Sequence, residues 1–133
     1  MDVQEIISNL TYQNAWIGEL PLKWSGGVIN VRLVIKSDDE GISGDQKRCL
    51  TSIMEASILN DKSREELAVF CSMAYKINVD EVMLLKSIIP TSIVVGYDGD
   101  WGITFSTPWD NDMDVAVRYD GDKVMVGLDD MLI

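Results

Sequence analysis

Two Asp-Gly-Asp turns divide the last third of the chain into short segments of alternating apolar residues. The turns are Asp98-Gly99-Asp100 and Asp120-Gly121-Asp122. Asp and Gly tolerate the left-handed backbone of tight hairpins, and strands joined by such turns must be antiparallel. The alternation predicts four strands after Pro90, at residues 92–97, 101–106, 113–119 and 124–128. Any fold for this chain must therefore contain an antiparallel sheet.

The first half of the chain predicts a hairpin followed by two helices. Strands at 16–22 and 28–35 flank a Ser-Gly-Gly turn. One helix is predicted to begin at a capping box formed by Ser43 and Gln46, and the next at a capping box formed by Ser63 and Glu66. The order is then β-β-α-α-β-β-β-β, with about six strands and two main helices on one face of the sheet. This is an α+β class, and 133 residues fit a single domain, 1–133.

Shorter elements and a core follow from the same periodicities. Residues 1–10 have apolar positions at helical spacing, Asp80 is placed to cap a short third helical turn, and Pro90 is predicted to end the helical region. The predicted core consists of apolar residues on the inner faces of these elements. Its members are Ile29, Val31, Leu33, Leu50, Ile53, Leu67, Phe70, Ile103, Phe105, Val115 and Val117.

The C-terminal segment from residue 98 onward is strongly acidic. All of its nine acidic residues are aspartates: Asp98, Asp100, Asp110, Asp112, Asp114, Asp120, Asp122, Asp129 and Asp130. Only Arg118 and Lys123 oppose them, so the segment carries −7 of the chain's net charge of −11. Such a field, with Trp101 and Trp109 inside it, binds either a cation or a basic partner. A pI near 4.2 argues against nucleic-acid binding.

The residue inventory argues against catalysis and against a bound metal or cofactor. The chain has no histidine and two widely spaced cysteines, so it lacks a Ser-His or Cys-His pair and a zinc motif. The segment 110–114 begins like a calcium loop, but Val115 stands where glycine is needed and Gly121 stands where glutamate is needed. The remaining carboxylates lie in turns, where a raised pKa is not expected. We therefore expect neither an enzyme nor a metal or cofactor site.

The tryptophans and the N-terminus give further expectations. Trp101 fits the core face of its strand, whereas Trp24 and Trp109 occupy loop positions, where each is either an interface anchor or a lid over the core. No apolar run approaches the ~20 residues that cross a bilayer. Asp2 and Glu5 stand where a signal peptide would be positive, so we expect a cytoplasmic, uncleaved protein without membrane contact.

The stretch IIPTSIVVGYDGDWGITFSTPWDNDMDVAVRYDGDKVMVGLDD resembles a family of small bacterial proteins of unknown function. Some members are immunity proteins encoded beside polymorphic toxins, including those of contact-dependent growth inhibition systems. The resemblance rests on Trp109-Asp110, on Gly127-Leu128-Asp129, and on an N-terminal hairpin followed by a helix carrying Gln46. The segment 112–114, Asp-Met-Asp, stands where the family has Glu-His-Gly, so any role of that histidine is absent.

The resemblance implies inhibition by binding. Toxin domains of these systems are often nucleases with basic active sites, which an acidic protein can bind by charge complementarity. We expect Asp98, Asp100, Asp110 and Asp112 to face the cognate toxin, with Trp109 as the apolar anchor. Two other classes stay open from the sequence: a non-catalytic adaptor or ligand-binding domain using the open sheet face, and a metal-dependent enzyme using aspartates alone.

Overall fold

A computed structural model describes residues 2–55 and 57–129 of the protein. Within them the chain forms a mixed α/β fold, with a mostly antiparallel sheet of seven strands and four helices. The elements in chain order are α1 (Val3–Ser8), β1 (Thr11–Tyr12), β2 (Trp16–Trp24), β3 (Gly27–Ile35), α2 (Gly44–Glu55), α3 (Asp61–Tyr75), α4 (Glu81–Ser87), β4 (Ile89–Val95), β5 (Trp101–Thr107), β6 (Asp110–Asp120) and β7 (Lys123–Leu128). The broad α+β prediction is confirmed, but the predicted numbers of strands and helices are too low. Asp130, one of the nine C-terminal aspartates, lies outside the described residues.

The strands lie in the sheet in the order in which they occur along the chain, β1 to β7. Neighbours are antiparallel except for β3 and β4, which pair in parallel from Arg32 with Ser92 to Ile35 with Val95. A wholly antiparallel sheet was therefore a wrong prediction. The chain leaves β3, crosses over through α2, α3 and α4, and enters β4 at the end of the sheet where β3 began, which is what a parallel pair requires.

The strand that the prediction omitted is β1. It has only two residues, Thr11 and Tyr12, which pair with Ile17 and Trp16. Two residues are too few to show alternation, so periodicity cannot detect such a strand. Its effect is to place a short strand at one edge of the sheet, whereas the opposite edge is formed by the six residues of β7.

The helices cover one face of the sheet and enclose a single core. Leu50, Leu67 and Leu84 of α2, α3 and α4 are fully buried against the inward rows of the strands. All predicted core residues are buried except Ile29 and Phe70, which are half-buried and pack against the cluster. The four helices thus leave the opposite face of the sheet without a helical cover among the described residues.

The N-termini of the helices test the predicted capping motifs. At α2, Ser43 Oγ accepts from Gln46 N at 3.1 Å, and Gln46 Oε1 accepts from Ser43 N at 3.0 Å, as the capping box predicts. Asp80 caps α4 as predicted, accepting from Met83 N at 2.8 Å. The prediction of a second capping box at Ser63 was wrong. Asn60 caps α3 by accepting from Ser63 N at 2.8 Å, and the buried Ser63 lies inside the helix.

Proline 90 marks a strand and not a helix end. The last helix before it ends at Ser87, and Pro90 is the second residue of β4. The pairing with β5 shifts register between Pro90 and Ser92, which leaves Thr91 as an extra residue. This irregularity directs the Thr91 side chain toward the face that carries no helix, where it forms hydrogen bonds with Thr104 of β5 and Asp114 of β6.

Candidate partner-binding surface

One row of paired residues fixes which turns lie at the same end of the sheet. Across five adjacent strands the row reads Ile35, Val95, Trp101, Tyr119 and Val124. The loop after β3, the β4–β5 turn and the β6–β7 turn all lie immediately beyond this row. Segments that are far apart in sequence therefore share one end of the sheet, and the parallel β3–β4 pair is the cause.

This shared end carries a group of exposed carboxylates that we name the acidic end. Its members are Asp38, Asp39, Glu40, Asp98, Asp120 and Asp122. Within the part of the chain that the structure describes, no lysine or arginine nitrogen lies within ion-pair distance of any of them. The first turn of α2 adjoins the group, because Asp45 lies against Gly99, although Asp45 itself pairs with Arg48. None of these six carboxylates is therefore held in an ion pair within the described residues.

A buried neutral amide holds the acidic end in place. The Gln46 side chain is only 1% exposed, and its Nε2 donates to Lys36 O at 2.7 Å and to Gly96 O at 3.0 Å. Its Oε1 accepts from the backbone of Ser43. One side chain therefore ties the chain beyond β3, the chain beyond β4 and the start of α2 together, and every polar atom of the amide is hydrogen-bonded.

Asp100 lies at this end but is engaged inside the protein. Its Oδ2 accepts from Arg118 Nε at 3.2 Å and from Arg118 Nη2 at 2.6 Å, and its side chain is 19% exposed. Gly96 makes room for it, because a Cβ at that position would overlap the Asp100 carboxylate. Asp100 is thus partly buried and paired inside the protein, whereas Asp98 is exposed and forms no ion pair within the described residues.

The remaining predicted partner residues lie at the opposite end of β5, which we name the tryptophan end. Trp109 is half-buried, with its ring centroid 5.9 Å from that of Tyr75. Asp110 Oδ1 accepts from the backbone of Asp112 at 2.9 Å and of Met113 at 3.2 Å, so this carboxylate shapes the turn. Burial and then the charge of Asp110 raise the pKa of Tyr75. Asp112 is exposed.

The five predicted residues therefore do not form one patch. Asp98 and Asp100 precede β5, and Trp109, Asp110 and Asp112 follow it. At ~3.3 Å per residue, six steps along β5 separate the two groups by about 20 Å. The acidic end instead brings Asp98 together with the Asp38–Glu40 loop and with the β6–β7 turn. The loop was missed because its proximity depends on the β3–β4 pairing, and the signal for that pairing is the helical crossover between the two strands.

Two other tryptophans pack against the core. The Trp24 ring lies 5.6 Å from that of Phe105, and Trp101 stacks on Tyr119 at 4.6 Å. Both indoles are half-buried, so Trp24, like Trp109, acts as a lid over the core. Tyr119 continues the contact by donating to Ile58 O at 2.6 Å, and its burial raises its pKa. An exposed aromatic ring at the acidic end is instead Tyr97, which is 67% exposed.

The helix-free face of the sheet carries a second polar cluster. The Thr91 hydroxyl lies 2.6 Å from Thr104 Oγ1 and donates to Asp114 Oδ2 at 2.7 Å. Ser92 Oγ lies 2.6 Å from the same Thr104 oxygen. Small residues, Ala116 and Gly127, continue the row across β6 and β7. Thr104, Ala116 and Gly127 are buried in this row, whereas Thr91 and Ser92 are half-buried, and a cleft of about 110 Å³ lies nearby between Lys36 and Arg118.

Several reactive-site chemistries find no support in these side chains. Burial raises the pKa of both Cys49 and Cys71 to about 11, so their thiols are protonated and unreactive at neutral pH. Residues 2–55 and 57–129 contain no group of three or more acidic or thiol side chains arranged to hold a metal ion. Among the helices they form, none is long and apolar enough to span a membrane.

Comparison with protein-family models, curated proteins and solved structures gave no match to this chain.

Proposed function

We propose that this protein is a cytoplasmic immunity protein that binds and neutralises a cognate, basic toxin domain of the nuclease type, and that the acidic end is its binding surface. The proposal joins the family resemblance of the sequence with one observation. Six exposed carboxylates from three separate segments lie at the same end of the sheet, and none of them forms an ion pair among the described residues. A nuclease needs the opposite surface, because its active site attracts phosphates.

The acidic end fits rapid association with a basic partner. Clustered carboxylates raise the association rate by long-range attraction, and they discriminate against acidic proteins. Affinity also needs an apolar contact, which Tyr97 can supply, because its ring is largely exposed beside Asp98. In this arrangement Asp98 keeps the role that the sequence suggested. Trp109, Asp110 and Asp112 would take part only if the partner also reached the tryptophan end.

The test compares two variants of equal charge. In the first, Asp39, Asp98, Asp120 and Asp122 are changed to Asn. In the second, four exposed acids outside the acidic end are neutralised: Glu5→Gln, Glu19→Gln, Glu55→Gln and Glu65→Gln. Affinity for the toxin domain encoded beside the gene is measured for both variants and the wild type across a salt series.

We expect the first variant to lose several kcal/mol of binding free energy, at least about a hundredfold in Kd, and to show a flatter salt dependence. The second variant should bind within about threefold of the wild type, since distant charges are screened. Equal losses in the two variants would mean that only net charge matters. No loss in the first would move the binding surface to the open face or the helices.

A second candidate function, a non-catalytic adaptor or ligand-binding domain, is favoured by the hydroxyl cluster on the open face. The half-buried Thr91 and Ser92 have hydroxyl groups that can donate and accept beside the Asp114 carboxylate, and the buried Thr104 hydroxyl lies between them. Titration of a small-molecule library, followed by amide chemical shifts, would detect a ligand there. Shifts confined to these strands and abolished by Thr104→Val would support this function, and their absence would count against it.

A further inference from the structure

The two edges of the sheet differ in the backbone that they leave open. At one edge, β1 offers two residues. At the other, β7 offers six, and no strand within residues 2–55 and 57–129 pairs with its outer side. A long open edge presents a row of free N–H and C=O groups, which is a template for pairing with another strand. Proteins usually have a short or blocked strand at such an edge, and the two-residue β1 is an example. The longer β7 is therefore a candidate for pairing with another strand.

The β6–β7 turn determines which backbone groups of β7 point outward. Asp120 pairs with Lys123 around a two-residue loop, in which Gly121 has a φ of 59°. In such a hairpin the closing pair is hydrogen-bonded, so alternate residues of β7, beginning with Lys123, bond to β6. The residues between them, Val124, Val126 and Leu128, direct their N–H and C=O groups away from the sheet.

The helix beside this edge adds an apolar surface. A groove between α3 and β7 is lined by Lys62, Glu65, Glu66, Val69, Phe70 and Val126. Val69 is 54% exposed and Met73, one turn further along α3, is 75% exposed. Helix α3 runs in the same direction as β7, since Ser63 contacts Tyr119 near the start of β7 and Tyr75 reaches Asp110 at the other end. The open edge and the exposed apolar side chains thus lie side by side.

We propose that β7 pairs antiparallel with β7 of a second copy of this chain, so that the two sheets become one continuous sheet. A twofold axis at Val126 places Val126 opposite its own copy and Val124 opposite Leu128, which are the residues with outward backbone groups. The two α3 helices then lie antiparallel across the axis. The exposed Val69 of each α3 lies beside the paired strands.

This pairing is self-complementary in polarity. Val124, Val126 and Leu128 are all apolar, so each meets an apolar residue of the other copy across the axis. The net charge of −11 per chain opposes association. Antiparallel pairing reduces this cost because it directs the two acidic ends to opposite sides. Added salt should therefore strengthen the dimer by screening net repulsion, whereas it should weaken binding to a basic partner.

The first test is the mass of the purified full chain in sedimentation experiments over a concentration series. We expect twice the 14.9 kDa of one chain at high concentration. The double variant Val69→Lys, Met73→Lys should raise the dimer dissociation constant at least about tenfold, because it replaces the exposed apolar side chains beside the paired strands with four ammonium groups. The control variant Val28→Lys, Val82→Lys alters equally exposed valines elsewhere and should dimerise as the wild type does. A wild type that stays at 14.9 kDa at every concentration overturns the proposal.

The second test asks whether a dimer uses this edge. Amide hydrogen exchange of the wild type is measured at low and at high protein concentration. The amides of Val124, Val126 and Leu128 should become protected as the dimer forms, while those of Met125 and Gly127, which bond to β6, should be protected throughout. A dimer without this alternation, or one that the Val69→Lys, Met73→Lys variant leaves intact, would place the contact elsewhere and overturn the proposal. The result is independent of the proposed immunity function.

Discussion

The two ends of the sheet use the same residue type for different purposes. At the tryptophan end, Asp110 accepts hydrogen bonds from two backbone N–H groups and lies against Tyr75, so its carboxylate stabilises a turn. At the acidic end, Asp98 has no such bond, and a buried neutral residue, Gln46, holds the loops. The comparison teaches that the number of aspartates in a segment does not locate a binding surface. The bonds that each aspartate already makes must be considered too, because Asp98 has more acceptor capacity left for a proposed partner than Asp110 has.

The largest expected effect is at Gln46. Replacing it with leucine leaves the carbonyls of Lys36 and Gly96 without their buried donor, and we expect a loss of about 3 kcal/mol in the free energy of unfolding. Urea denaturation measures it. Gln13→Leu, at an exposed position, should change stability by less than about 0.5 kcal/mol. A loss below about 1 kcal/mol for Gln46→Leu would show that carboxylates and not the amide organise the acidic end.

The next effect separates the two kinds of aspartate directly. Asp110→Ala removes the acceptor for two backbone N–H groups and should cost about 1–2 kcal/mol of stability. Asp98→Ala should stay within about 0.5 kcal/mol, because that side chain is exposed and makes no side-chain hydrogen bond within the described structure. Thermal and urea unfolding of both variants provide the measurement. Equal losses would remove the distinction between the two ends.

A third effect tests whether Asp100 belongs with the structural aspartates. Gly96→Ala should cost about 1–2 kcal/mol, because the new methyl group displaces the Asp100 carboxylate from Arg118. In an Asp100→Ala background the same change should cost clearly less, since nothing remains to be displaced. The double-mutant cycle gives the coupling between the two positions. Strict additivity would mean that the glycine is required for some other reason.

The smallest effect concerns the two thiols. Burial, and for Cys49 also the charge of Asp100, raises their pKa from 9.0 to about 11. A raised pKa favours the protonated folded state, so this contribution to stability is complete below pH 9 and is lost as the pH rises through about 11. Asp100→Asn should shift the pH profile of Cys49 labelling to lower pH, whereas Asp110→Asn should leave it unchanged. The rate of alkylation against pH distinguishes these outcomes.

Much of the fold could be predicted because its signals are local. The strands from β2 to β7, the capping box at Gln46 and the cap at Asp80 each depend on residues within one element or one turn. The second capping box failed because Asn60, three residues earlier, offers an equally good acceptor and lets Ser63 be buried. Strand β1 was not predicted because two residues are too few to show a periodicity.

The candidate site could be predicted only in part, because it depends on a non-local pairing. Asp98 was identified from its turn, but its neighbours at the acidic end, Asp38 and Asp39, follow β3 and precede it by some sixty residues in sequence. No local pattern shows that β3 and β4 lie side by side in parallel. For the same reason Trp109 was placed near Asp98, although an entire strand separates them.

The parallel β3–β4 pair also has a consequence for synthesis of the chain on the ribosome. The β2–β3 hairpin and the strands from β4 onward pair with partners that are close in sequence. By contrast, β3 cannot form its second pairing, with β4, until β4 has emerged from the ribosome. Until then Val31, Leu33 and their backbone have one open side, which makes the nascent chain prone to aggregation. The acidic end does not exist at this stage, because the Asp38 loop and the Asp98 turn have not met. If the acidic end is the binding surface, as we propose, a half-made chain lacks that surface until the sheet is complete.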